Sequence, residues 1–179
     1  MRELPFFQLD VFSSVPFKGN PLAVIAAADG LDAAEMQAIA NWTNLSETTF
    51  LSRPKDASAD YHVRIFTPAR ELPFAGHPTL GSCHAWLALG HQPKGDTIVQ
   101  ECGAGLVPIR RDGARLAFAA PPQLRSGDVD RDLQRRVAAS LGLAGSAIKA
   151  AQWVDNGPGW LAVMLGSRAE LLGLEYNAG

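Results

Sequence analysis

The 179-residue chain is 47% hydrophobic and 19% charged, with a mean hydropathy of +0.00, which suits a globular protein with one good core, or one domain and part of a second. Sixteen Lys and Arg against eighteen Asp and Glu leave a net charge of −2, so no basic field exists to hold a nucleic-acid backbone. Apolar runs such as Leu22 to Ala28 are too short to span a bilayer, and Glu3 and Asp10 interrupt any signal-peptide-like stretch. The expectation is a cytoplasmic protein with no membrane and no nucleic-acid partner.

Phe6 to Phe12 and Leu22 to Ala27 read as strands joined by the turn-rich connection SSVPFKGNP. Asp32 and Glu35 have capping-box spacing, and Met36, Ile39 and Ala40 recur at helical intervals, which predicts a helix over 33–42. TTFLS (48–52) and YHVRIFTP (61–68) read as strands. Pro78 to Leu89 is apolar on almost every face, the pattern of a helix enclosed by other elements, and Gly90 is its stop signal. TIVQEC, LVPIRRD and RLAFAAP then read as three strands.

Pro121 to Asp128 has the Pro, Ser, Gly and charge content of a linker. Asp130 to Leu141 is an amphipathic helix, with Leu133, Val137 and Leu141 on one side and Arg131, Arg135 and Arg136 among acidic residues on a solvated face. The run AAQWVDNGPGWLAVML predicts a hairpin about DNGPG, and Ser167 with Glu170 predicts a capping box opening a helix to about Leu174. The organisation expected is a complete α+β unit over 1–120, a linker over 121–128, and the opening elements of a second unit over 129–179.

Two stretches could carry chemistry. Gly76-His77-Pro78-Thr79 opens the apolar helix, where free backbone N–H groups and the macrodipole favour an anion in a low-dielectric setting. The plain alternative is a turn glycine, a loop histidine and a helix-starting proline. Glu47 lies among Ser46, Thr48 and Thr49 in NLSETTF; burial would fit such a carboxyl for proton transfer, whereas exposure would leave it a surface carboxylate. Cys83 and Cys102 have no CxxC spacing and join no His cluster, which argues against a disulfide or a metal site.

Together GNPLAV (19–24), NLSETTF (44–50), RIFTPARELPFAGHPTLGSCHA (64–85) and ECGAGLVPI (101–109) resemble the N-terminal half of the PhzF family, the phenazine-biosynthesis-type isomerases related in fold to diaminopimelate epimerase. The likeness continues more weakly through WVDNGPGWLAVML. The resemblance implies an α+β, diaminopimelate-epimerase-like fold of two similar lobes, each a curved sheet wrapped around a central helix, with the active site between them. Pro78 to Leu89 would be the first lobe's central helix.

The resemblance also implies cofactor-independent proton transfer between carbons of a small, cyclic, carboxylate-bearing substrate. Glu47 would be the acid–base residue, with Ser46, Gly76 and His77 as substrate-binding or auxiliary residues. Family members often form homodimers. The family's second-lobe motif, of Glu-Asp-Pro-x-Thr-Gly-Ser type, has no counterpart before Gly179, so an incomplete second lobe is expected, associating with a further segment or another chain. Two other readings remain: a non-catalytic small-carboxylate-binding or assembly module, and a two-thiol racemase. The latter is disfavoured because His77, not a cysteine, stands at the helix start.

Overall fold

A computed structural model describes residues 3–113 and 115–175. The chain forms two compact units, Met1–Pro121 and Pro122–Gly179. In the first, the elements are β1 (Phe6–Val11), β2 (Asn20–Ile25), α1 (Ala33–Thr43), β3 (Glu47–Ser52), β4 (Tyr61–Phe66), β5 (Glu71–Leu72), α2 (Gly76–Ala88), β6 (Thr97–Cys102), β7 (Gly105–Asp112) and β8 (Arg115–Phe118). They build one eight-stranded mixed sheet in the order β1-β2-β3-β4-β6-β7-β8, with β5 added beside β4.

Two pairs in that sheet are parallel, β2 with β3 and β4 with β6. A parallel pair needs a crossover connection, and α1 and α2 supply the two. Helix α2 packs on β1, β2 and β3 and also on β8 at the far edge, so the sheet curls around it. The inner core gathers Leu22, Val24, Leu51, Tyr61, Val63, Ile65, Cys83, Ala85 and Trp86 between sheet and α2. Ile25, Met36, Ala40, Phe50 and Phe66 fill the outer face beneath α1. A strand covered on both faces reads as a continuous apolar run, which is why LAVI in β2 does not alternate.

The capping box of α1 forms in full: Asp32 accepts from the Glu35 N–H at 2.8 Å and Glu35 accepts from the Asp32 N–H at 2.9 Å. Helix α2 begins at Gly76, two residues before the proline expected to open it. Pro78 therefore sits third in the helix, where an N–H would have no intrahelical partner anyway. At Gly81 a Cβ would lie 2.4 Å from Leu22 Cδ2, so the glycine lets α2 settle closely on β2. Gly90, at φ 89°, follows the helix end as expected.

The second unit holds β9 (Arg125–Asp128), α3 (Arg131–Ser140), β10 (Ala150–Asp155), β11 (Leu161–Met164) and α4 (Arg168–Leu172). Its three strands pair antiparallel in the order β11-β10-β9. Strand β9 corrects the linker reading of 121–128. All four of its residues are exposed, so no apolar alternation betrays it; pairing with β10 and the Arg125 guanidinium 3.5 Å above the Trp153 ring hold it. The DNGPG turn is closed by Asp155, which accepts from the N–H groups of Gly157 and Gly159. At α4 the box is half-made: Ser167 caps Glu170 N–H, but the Glu170 carboxylate turns back to Gly166 N–H. The helix stops at Leu172, short of the expected Leu174. Among the described residues, no helix is long and apolar enough to cross a membrane.

Candidate active site

Because β2 and β3 run parallel, their first residues lie at the same end of the sheet, and α2 starts there too. Glu47 opens β3, paired with Leu22, one residue before the strand start that the sequence suggests. Asn20 opens β2, and Ser46 immediately precedes β3. His77 is the second residue of α2. The fold thus brings Ser46, Glu47, Gly76 and His77 to one end of the sheet and adds Asn20, which the sequence reading did not single out as a site residue.

The polar atoms form a directed chain. The Ser46 hydroxyl donates to Asn20 Oδ1 at 3.2 Å, which turns the Asn20 amide N–H toward His77 Nδ1, also at 3.2 Å. When Nδ1 accepts that bond, the neutral imidazole carries its proton on Nε2. That nitrogen faces Glu47 Oε2 at 3.1 Å, and both side chains are largely buried, with 8% and 12% of their surface exposed for His77 and Glu47. The two atoms are not aligned as a hydrogen bond, and neither makes another hydrogen bond among the described residues. A buried, facing and unsatisfied pair of polar atoms is rare in a folded protein and calls for an explanation.

Burial sets the charge states. It pushes the His77 imidazole down to about 4, with the Pro21 carbonyl acting in the opposite direction, and it raises the Glu47 carboxyl above its ordinary value. The separation is that of an ion pair, yet both shifts oppose the charged form, so the imidazole is neutral at pH 7. The pair is a neutral imidazole beside a carboxyl whose proton affinity burial has raised.

The walls are partly apolar. The Phe12 ring lies 6.2 Å from the His77 ring, centroid to centroid, and Phe12 is itself exposed. At Gly76 the direction a Cβ would take points at Phe118 Cζ, 3.2 Å away, so this glycine makes room for β8 against the helix. Ala75, the cap of α2, offers no side-chain bond to the first turn. Cys83 lies in the core with no exposed surface, its thiol pushed up to about 11 by burial, and Cys102 is likewise buried and outside any disulfide, its thiol donating to the Gly105 carbonyl.

The sequence model of the family described as "Phenazine biosynthesis-like protein" matches residues 9–179. The chain belongs to the PhzC-PhzF family. Among the relatives of this chain, Antisense-enhancing sequence 1 of Schizosaccharomyces pombe is 43% identical, over 97% of this chain and 62% of its own length. The trans-2,3-dihydro-3-hydroxyanthranilate isomerase of Pseudomonas aeruginosa is 38% identical over 93% of this chain and 59% of its own. A solved structure titled as a "Predicted Epimerase" of Pseudomonas aeruginosa superposes with a TM-score of 0.76 at 26% identity, covering 98% of this chain and 64% of that one. A PhzF-family protein of Bacillus anthracis gives 0.75 at 25%, covering 99% and 60%. The α+β architecture, with its mixed sheet curled around α2, is therefore the family's, and the chain spans about three fifths of these relatives' length.

Proposed function

We propose that the chain carries the proton-transfer centre of an isomerase acting on a small, cyclic, carboxylate-bearing substrate. The observation that carries this reading is the buried Glu47–His77 pair, its facing atoms 3.1 Å apart and without a well-formed hydrogen bond among the described residues, in a chain related to an enzyme named trans-2,3-dihydro-3-hydroxyanthranilate isomerase. A substrate C–H faces the Glu47 carboxylate. As that bond breaks, the carboxylate takes the proton and the electron pair passes into the conjugated system. The carboxylic acid so formed returns the proton at another carbon, moving the double bond with no net oxidation. Such acid–base work is worth about 10²–10⁴ in rate.

His77 supports the step through its Nε2–H, a neutral donor beside the developing negative charge. The uncapped N–H groups in the first turn of α2 reinforce it, and one well-placed donor contributes about 10²–10³. Ser46 and Asn20 hold the imidazole in the required tautomer. A two-thiol racemase mechanism is disfavoured, because Cys83 is a core residue with a raised thiol pKa and stands outside this cluster.

The test is turnover of trans-2,3-dihydro-3-hydroxyanthranilate as a probe substrate. Glu47→Gln preserves shape but cannot titrate; kcat should fall by about 10² or more while the variant still unfolds cooperatively. Unchanged kcat in a folded Glu47→Gln chain would overturn the assignment and favour a binding module.

A further inference from the structure

We propose that the buried Thr49–Ser82 hydroxyl pair is a positioning contact that sets the separation of the Glu47 carboxyl and the His77 ring. The proposal rests on the reading of Glu47 and His77 as the working pair. Side chains alternate along a strand, so Glu47, Thr49 and Leu51 share one face of β3, the face toward α2. Thr48 and Phe50 take the other face, where Thr48 Oγ1 meets Thr43 Oγ1 of α1 at 2.7 Å. Across the inner face Ser82 Oγ donates to Thr49 Oγ1 at 2.9 Å, and Thr49 Oγ1 donates onward to the Ala23 carbonyl at 3.4 Å. Both side chains are fully buried. This single line therefore ties α2 to β3 and β3 to β2, the three elements that supply His77, Glu47 and Asn20.

An apolar pair of the same shape would fill this space without placing hydroxyls in a core, where each must be hydrogen-bonded or costs about 1–3 kcal/mol. What the hydroxyls add is a fixed length. Apolar surfaces slide over one another, whereas a hydrogen bond weakens steeply outside a narrow range of distance and angle. Thr49 lies two residues from Glu47, roughly 7 Å along the strand, so a shift of α2 against β3 is passed to the catalytic pair with little attenuation. A 1 Å misplacement of reacting groups costs on the order of 10² in rate.

The experiment is an NMR titration of His77 in the labelled 179-residue chain, alongside kcat and KM for the probe substrate. Glu47 is the titratable group facing the ring within ion-pair distance among the described residues. Thr49→Val keeps the side-chain shape and removes the hydroxyl; the loosened pair admits water, and the His77 midpoint should rise toward its ordinary value by about one unit, a tenfold change in proton affinity. The His62 midpoint, set by its own burial on β4, should not move. Ser82→Ala should shift His77 in the same direction, the double variant should add little, and Thr49→Ser should restore the wild-type midpoint. In parallel kcat should fall roughly 10–10²-fold with KM nearly constant. If Thr49→Val does not fold, Ser82→Ala decides alone. A folded Ser82→Ala chain with the wild-type His77 midpoint and kcat would overturn the proposal. Failure of Glu47→Gln to affect turnover would instead overturn the proton-transfer reading, while the His77 midpoint would still report on the tether.

Discussion

His77 titrates far from where a free imidazole does, and that displacement makes it a probe of the site. Its folded pKa of about 4 lies below its ordinary 6.5, so between those values the unfolded chain binds more protons. The stability that depends on a neutral His77 is present above pH 6.5 and is lost as pH falls toward 4. Glu47 has the opposite sign: its raised pKa means the folded chain takes up a proton first, which relieves a buried carboxylate on acidification. His77→Gln removes the first contribution alone. In urea unfolding, the variant should therefore gain on the wild type as pH is lowered from 6.5 to 4. A difference that stays constant across that window would show that His77 does not carry the displaced titration.

At the scale of elements, α2 is fastened by polar links as well as by its apolar surface. The Tyr61 hydroxyl donates to Gln100 Oε1, the Gln100 amide donates to Thr79 Oγ1, and Thr79 Oγ1 donates to the Ala75 carbonyl, at 3.1, 3.1 and 2.9 Å. Gln100→Leu keeps the volume but leaves the Tyr61 hydroxyl without its acceptor, so chemical denaturation should show a loss of about 1–3 kcal/mol. An unchanged unfolding midpoint would mean that the chain of bonds is dispensable. Such links also explain what could be read in advance. The capping box, the apolar body of α2 and the DNGPG turn are local patterns, and the sequence displays them. The start of α2 was misplaced because proline commonly marks a first helical position, and β9 left no trace because RSGD lies fully exposed. Glu47, His77, Gly76 and Ser46 stand in motifs that single them out as candidates, and the fold brings them to one end of the sheet. Asn20 joins them only through the parallel register of β2 and β3, and Thr49 meets Ser82 across 33 residues of chain; no local pattern prints either contact.

Across the whole molecule the core is unevenly shared. Almost all fully buried apolar side chains lie in the first unit, whereas the second contributes Val129, Ala138 and Ile148 among the described residues. Regions with few buried apolar contacts open at lower free energy. Amide hydrogen exchange should therefore be slowest in β2, β3, β4 and α2, and markedly faster in β9, β10 and β11. Equal protection of the two sheets would contradict that ranking. Every residue proposed for proton transfer belongs to the unit with the larger buried core, a setting that suits preorganised chemistry. The central claim is that Glu47 carries the proton, and its most direct test is deuterium exchange from solvent into the dihydro-hydroxyanthranilate probe, followed by mass spectrometry. The wild-type chain should label a substrate carbon, and Glu47→Gln should do so at least about 10²-fold more slowly. Labelling by folded Glu47→Gln at the wild-type rate would contradict the account.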